Sequence, residues 1–173
     1  PRPRIGLRRM KSPFLIGSLC IGLLASGCGQ KEATPAAAAV AAKSDAPAGP
    51  RIIEITGNDQ MKYSVTTIEA KAGESLKVVL TNIGTLPKEA MGHNWVLLKA
   101  GNDGAAFTAA AIMARDTDYI PASLKDQVIA KIETLGPRKS GEVEFIAPAP
   151  GEYVFLCSFP AHFAVGMKGK LIV

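Results

Sequence analysis

From Arg51 onward, short apolar or alternating runs recur, separated by Gly, Pro, Asn and Asp. Two runs, 75–80 and 142–146, alternate apolar and polar residues with a period of two, which is typical of half-buried strands. Counted along the chain, the runs are "RIIEIT", "YSVTTIEA", "SLKVVLTN", "HNWVLL", "VIAKIE", "GEVEFIA", "GEYVFLC" and "GKLIV". About eight short strands in residues 51–173 predict an all-β fold, either an antiparallel sandwich or a barrel.

One segment breaks this pattern. Residues 101–127, "GNDGAAFTAAAIMARDTDYIPASLKDQ", are rich in alanine, with apolar spacing that suits one or two helical turns. Residues 105–115 are the best helix candidate, ending before Pro121. We therefore expect a short helical excursion around 102–127, outside the β-structure and not a second domain.

The first fifty residues predict export rather than a folded core. Residues 1–27 combine basic residues, a short apolar stretch and small residues, as in a basic leader with a signal peptide. They end before Cys28, and "ASGC" resembles a bacterial lipobox, so Cys28 is the expected lipidation site. The alternative is an ordinary cleaved signal in which Cys28 is incidental. Residues 28–50 form an Ala/Pro-rich flexible linker. We expect a protein that is lipid-anchored to a membrane, facing the periplasm or the cell exterior, with a folded domain at 51–173.

The net charge of +5 does not indicate a nucleic-acid partner. Residues 1–50 contain seven Lys/Arg and two Asp/Glu, whereas residues 51–173 contain thirteen of each. The folded part is therefore neutral and offers no excess of positive charge for phosphates. We expect no nucleic acid and a monomer.

Three scarce residue types occur together near the C-terminus, in "CSFPAHFAVGM". Cys157 ends one predicted strand, Met167 begins the next, and His162 lies between them. His93 opens an earlier strand that can end at the same edge. Two imidazoles, a thiolate and a thioether suit copper, because soft sulfur favours Cu(I) and imidazole suits both oxidation states. A structural zinc site would normally have four Cys or His ligands. The sequence predicts one copper ion.

The segments "GNDQMKYS", "LPKEAMGHNWVL" and "CSFPAHFAVGMKGKL" resemble the azurin family of blue copper proteins, including the auracyanins. The resemblance covers nearly all of residues 51–173 and implies a cupredoxin-like Greek-key β-sandwich with a type 1 copper. It also implies that His93, Cys157 and His162 bind copper in a plane. Met167 would be a long axial ligand and the Gly92 carbonyl a weak ligand opposite it.

The resemblance also implies that backbone N–H groups of Asn94 and Phe159 donate to the cysteine sulfur and thereby tune the reduction potential of the copper site. The chain departs from azurins in four respects. Met167 follows His162 by five residues, as in auracyanins and plastocyanins, and the azurin disulfide has no counterpart. Ala161 stands where azurins usually have glycine. Asn82 stands where the azurin family has a further histidine at a second site.

Uncharged side chains flank the predicted ligands and would surround an exposed edge of His162, as a brief electron-transfer contact requires. This predicted partner patch consists of Leu86, Pro87, Met91, Ala161, Phe163 and Val165. Partners would be redox proteins such as a c-type cytochrome or an oxidase.

The predicted function is transfer of one electron at a time, not catalysis. Copper enzymes with cupredoxin domains need further histidines for a second copper centre, and this chain has two in all. A Cys157–His162 nucleophilic pair would explain neither Met167 nor His93. A copper carrier without redox duty remains the alternative.

Overall fold

In the computed structural model, residues 49–173 are described. They form eight β-strands and two short α-helices, in agreement with the predicted fold class. In chain order the elements are β1 (Arg51–Gly57), β2 (Thr67–Glu69), β3 (Ser75–Asn82), α1 (Lys88–Met91), β4 (His93–Leu98), α2 (Gly104–Ala111), β5 (Val128–Leu135), β6 (Ser140–Ile146), β7 (Glu152–Leu156) and β8 (Lys168–Ile172).

The strands make two sheets, with strand orders β1-β3-β6 and β2-β8-β7-β4-β5. The prediction of an antiparallel arrangement was wrong for two pairs, because β1 pairs with β3 in parallel and β2 pairs with β8 in parallel. The chain passes from β1 into the other sheet at β2 before it returns at β3. Such a crossover allows parallel neighbours, which a tight hairpin cannot join.

The core lies between the two sheets and follows the period-two pattern. In β3 every second residue is buried, including Leu76, Val78 and Leu80, and the intervening residues are more exposed. Trp95 is completely buried in the same cluster, and its ring centroid lies 5.5 Å from that of Phe155. Strand β4 is buried along its whole length.

The helical excursion joins β4 to β5, as predicted. Helix α2 begins at an Asp103 side chain that accepts the Ala105 N–H, and two 3-10 turns follow at Arg115–Thr117 and Ala122–Gln127. The expected helix over residues 105–115 is shorter than predicted, because the backbone leaves helical geometry at Ala114 (φ −105°, ψ 35°). Phe107 anchors the excursion in a second apolar cluster with Val96, Leu98, Ile120 and Leu156.

The predictions for residues 1–27, for the linker at 28–50 and for Cys28 fall on the part of the chain outside the described residues, apart from the last two linker positions. Among residues 49–173, no helix has both the length and the hydrophobicity needed to cross a membrane.

Candidate metal centre

One loop joins β7 to β8 and bears three of the four predicted side-chain ligands. Cys157 directly follows β7 and Met167 directly precedes β8. The Cys157 N–H donates to the Met167 carbonyl (3.0 Å), and the Met167 N–H donates to the His162 carbonyl (2.9 Å). The antiparallel pairing of β7 with β8 closes the base of this loop. Local backbone bonds therefore hold these three residues at one end of the sandwich.

His93 reaches the same end from β4, which is the neighbour of β7 in the larger sheet. The potential ligand atoms of His93, Cys157 and His162 all lie within 4.8 Å of one another. The two histidine Nδ1 atoms are 3.2 Å apart, and Cys157 Sγ lies 3.4 Å from His162 Nδ1. His93 and Cys157 are fully buried and His162 is 2% exposed. The structure thus brings together the three residues predicted to lie in one metal plane.

Burial keeps these groups uncharged in the metal-free protein. It raises the pKa of the Cys157 thiol to about 12, and the backbone N–H groups of Asn94 and Phe159 oppose that shift by favouring the thiolate. Burial, followed by the nearby His93, lowers the pKa of His162 to about 4. Burial also lowers the pKa of His93. Two neutral imidazoles and a sulfur, with no carboxylate in the cluster, fit copper, and a bound cation would stabilise the thiolate.

Met167 is also fully buried beside this cluster. Its methyl group and the His93 ring both pack against Gly57, because a Cβ added there would lie 3.0 Å from Met167 Cε and 3.1 Å from His93 Cδ2. The sequence analysis assigned no role to Gly57. The feature that could have identified it is its position at the end of β1, at the start of "GNDQMKYS", because a glycine at a strand end allows another group to approach closely.

Gly92 and Phe159 pack around the histidines. A Cβ on Gly92 would lie 2.5 Å from Thr134 Cγ2 and 2.7 Å from the Lys88 carbonyl oxygen, so only glycine fits between them. The Phe159 ring lies 4.7 Å from the His162 ring, centroid to centroid. Gly92 therefore allows the chain to enter β4 with His93 turned inward, and Phe159 holds the His162 ring.

Asn94 links three segments at the site. Its amide nitrogen donates to Ser158 Oγ (2.8 Å) and to the Asp118 carbonyl (3.0 Å), and its side-chain oxygen accepts the Ser158 N–H (2.8 Å). The sequence singled out Asn94 but missed Ser158, which lies between two assigned residues of the ligand loop. The contact with Asp118 had no sequence signal, because only the fold brings the helical excursion next to β4.

Four of the six residues of the predicted partner patch are exposed. Leu86, Pro87, Ala161 and Val165 are exposed, whereas Met91 and Phe163 are half-buried. Phe163 packs toward α2 in the second apolar cluster, with Lys168 Nζ 4.3 Å from its ring centre. The expected exposed edge of His162 amounts to only 2% of the residue. The ring is thus almost completely covered by its neighbours.

The structure describes Ala161 and Asn82, two positions at which the sequence was expected to depart from azurins. Ala161 has a left-handed backbone conformation (φ 70°), which explains why glycine suits this position. Asn82 is buried, donates to the Leu135 carbonyl (3.1 Å) and accepts the Gly84 N–H (2.9 Å). An uncharged amide with both ends paired therefore occupies position 82.

Comparison with known proteins agrees with this geometry. Residues 52–173 match the family of copper binding proteins of the plastocyanin/azurin type. The chain is 37% identical to an azurin of Pseudomonas denitrificans over 123 residues, which cover 69% of this chain and 94% of that azurin. It is 30% identical to Auracyanin-B of Chloroflexus aurantiacus over 151 residues, or 82% of this chain and 63% of that protein's length.

A solved structure of reduced auracyanin from Roseiflexus castenholzii shares this fold. Its TM-score is 0.64 at 37% identity, and the match covers 72% of this chain and 98% of the auracyanin chain. These similarities agree with the predicted fold, with copper as the cofactor and with a protein that is not an enzyme. The chain therefore belongs to the plastocyanin/azurin family of copper-binding proteins, and its azurin and auracyanin relatives are electron-transfer proteins rather than enzymes.

Proposed function

We propose that this protein carries single electrons between redox proteins through one type 1 copper ion held by His93, Cys157 and His162. The Met167 thioether and, more weakly, the Gly92 carbonyl would also contribute to binding the ion. The observation that supports this most strongly is the convergence of one sulfur and two Nδ1 atoms within 4.8 Å in a buried pocket. Bound copper would supply a one-electron Cu(II)/Cu(I) couple.

The residues of the chain act by binding and by excluding water. The imidazoles of His93 and His162 offer neutral nitrogen because their burial disfavours the protonated rings. Cys157 offers a thiolate once a cation compensates its burial. Asn94 and Phe159 direct N–H groups toward the sulfur and are proposed to tune its electron density. Since the backbone of the loop is held by hydrogen bonds, little need rearrange when an electron is gained or lost.

The buried site favours this function over a copper carrier. A carrier must release its metal readily, whereas here the sulfur and one ring are completely buried and the other ring is 2% exposed. The two functions separate in one experiment on the purified domain. An electron carrier gives a reversible one-electron wave and keeps copper against a competing chelator. A carrier of copper exchanges the metal quickly as colourless Cu(I).

Electrons are proposed to leave through His162 and across the exposed residues of the predicted partner patch, Leu86, Pro87, Ala161 and Val165. Replacing His162 by glycine and adding imidazole would restore the copper ligand without its covalent link to the loop. Electron exchange with a c-type cytochrome is expected to slow in that variant. A rate equal to that of the unmodified protein would exclude this route.

We further propose that the protein is exported and lipid-anchored through Cys28, facing the periplasm or the cell exterior. The signal-like residues 1–27, the lipobox-like "ASGC" and the linker at 28–50 support this. A linker of this length would have a reach of roughly 25 Å as a flexible chain. Expression of the full chain and its Cys28→Ala variant, followed by detergent phase partitioning, tests the anchor. The variant should leave the detergent phase, and equal partitioning would count against lipidation.

A further inference from the structure

Tyr63 is a buried tyrosine next to the metal centre to which the copper site so far assigns no role. It lies between β1 and β2, is 6% exposed, and makes an isolated bridge with Gly57. Its ring packs 5.9 Å from the Phe155 ring, and its hydroxyl donates to the backbone carbonyl of Asn94. Tyr63 thus connects the first loop of the domain to a residue beside the cysteine sulfur.

The Asn94 carbonyl lies where the ladder between β4 and β5 is irregular. Between the pairs His93–Leu135 and Trp95–Ile132, β4 has one residue, Asn94, and β5 has two, so β5 is bulged opposite Asn94. On the other side, β4 pairs with β7 only at Val96 and Leu97. A buried carbonyl without a partner is costly, and bulges near functional sites typically redirect backbone groups. The Tyr63 hydroxyl gives the buried Asn94 carbonyl a donor beside this bulge.

The backbone N–H of Asn94 is a hydrogen-bond donor to Cys157. The carbonyl and the side chain of Asn94 are both fixed, the first by Tyr63 and the second by Ser158 and Asp118. Burial, followed by the nearby Cys157, raises the pKa of Tyr63 well above its ordinary value.

We propose that Tyr63 is a positioning residue that holds Asn94 in place opposite the β5 bulge, and with it the Asn94 N–H toward Cys157, so that the site favours the reduced state. This rests on the proposed function, because it requires copper on Cys157. The physical reason is the charge on sulfur. In the reduced site the cysteine sulfur would donate less electron density to the metal and keep more negative charge. Hydrogen-bond donors to the sulfur therefore stabilise the reduced state more than the oxidised state.

The test compares Tyr63→Phe with Tyr153→Phe. Tyr153 is a matched control, because it is also 6% exposed and its hydroxyl donates to a backbone carbonyl, that of Ala149 (2.7 Å), at the far end of β7. At a fixed applied potential, Tyr63→Phe should shift the Cu(II)/Cu(I) ratio toward Cu(II) by a factor of about two to five, as expected for a lost hydrogen bond. Tyr153→Phe should leave that ratio unchanged.

Amide exchange in the diamagnetic Cu(I) protein gives a second readout. In Tyr63→Phe the Asn94 N–H should exchange faster, and in Tyr153→Phe it should not change. If Tyr63→Phe does not fold, 3-fluorotyrosine at position 63 keeps the shape and is a stronger donor, and it should shift the ratio toward Cu(I). The proposal is overturned if both phenylalanine variants lose stability alike while the ratio and the Asn94 exchange stay as in the unmodified protein, or if 3-fluorotyrosine leaves the ratio unchanged.

Two different results would show a wrong role for Tyr63 and a wrong function for the protein. If the unmodified protein takes up copper and gives a reversible wave while the Tyr63 variants match it, only the role of Tyr63 is wrong. If the unmodified protein gives no reversible wave at all, the proposed function itself is wrong.

Discussion

Replacing Met167 separates its proposed role as a ligand from its role in the core. The side chain is fully buried in the main apolar cluster and packs against Gly57 beside His93. Met167→Leu nearly conserves volume and should lower the free energy of unfolding of the metal-free protein by less than about 1.5 kcal/mol. Met167→Ala leaves a cavity and should lower it by about 2–5 kcal/mol. Urea unfolding of the metal-free domain measures both values.

Both variants lack the thioether, but only Met167→Leu keeps the packing nearly unchanged. The copper-loaded Met167→Leu protein therefore tests whether the sulfur is a ligand. An apolar group in place of a weak donor disfavours the more highly charged Cu(II), and the reduction potential should therefore rise. The visible spectrum should change with it. Voltammetry and absorption spectroscopy measure these effects. A Met167→Leu protein with unchanged potential and spectrum would refute the axial role and leave Met167 as a core residue alone.

Further predictions concern the neighbours of the site. Gly57→Ala would place a methyl group 3.0–3.1 Å from Met167 and the His93 ring, so it should cost about 1–3 kcal/mol of unfolding free energy and alter the copper spectrum. Gly151→Ala, where the added Cβ has only ordinary contacts, should leave the spectrum unchanged. Ala161→Gly should raise thermal stability by about 1 kcal/mol, because φ is 70° at this position; a lower melting temperature would contradict this. The folded-state pKa of His162 lies at about 4, below its unfolded value, so the unfolded chain binds more protons in between. The metal-free protein should therefore lose stability as pH falls from about 6.5 to 4, and His162→Gln should weaken that dependence in calorimetric scans.

The sequence predicted the strands well because each apolar run matches the face that a sandwich must bury. It predicted the ligand loop because Cys157, His162 and Met167 are close in sequence. It did not predict the two parallel strand pairs, since period-two alternation contains no information about strand direction. The direction of each strand pair depends on how segments distant in the sequence pair in the two sheets.

The unpredicted parts of the site depend on contacts between distant segments. Tyr63 and Asn94 are 31 residues apart, and they hydrogen-bond beside a bulge in β5 that only the folded sheet creates. The near-complete burial of His162 likewise depends on how the ligand loop packs against Phe159. A single sequence gives no signal for either, because neither a bulge nor ring packing has a fixed local pattern.

Titration of the metal-free domain with Cu(II) tests the central claim most directly. The account predicts that one equivalent of copper produces an intense blue charge-transfer band, and that Cys157→Ser abolishes it while the domain stays folded by circular dichroism. Uptake of copper without that band, or a blue band that survives in Cys157→Ser, would contradict a single copper ion held by His93, Cys157 and His162.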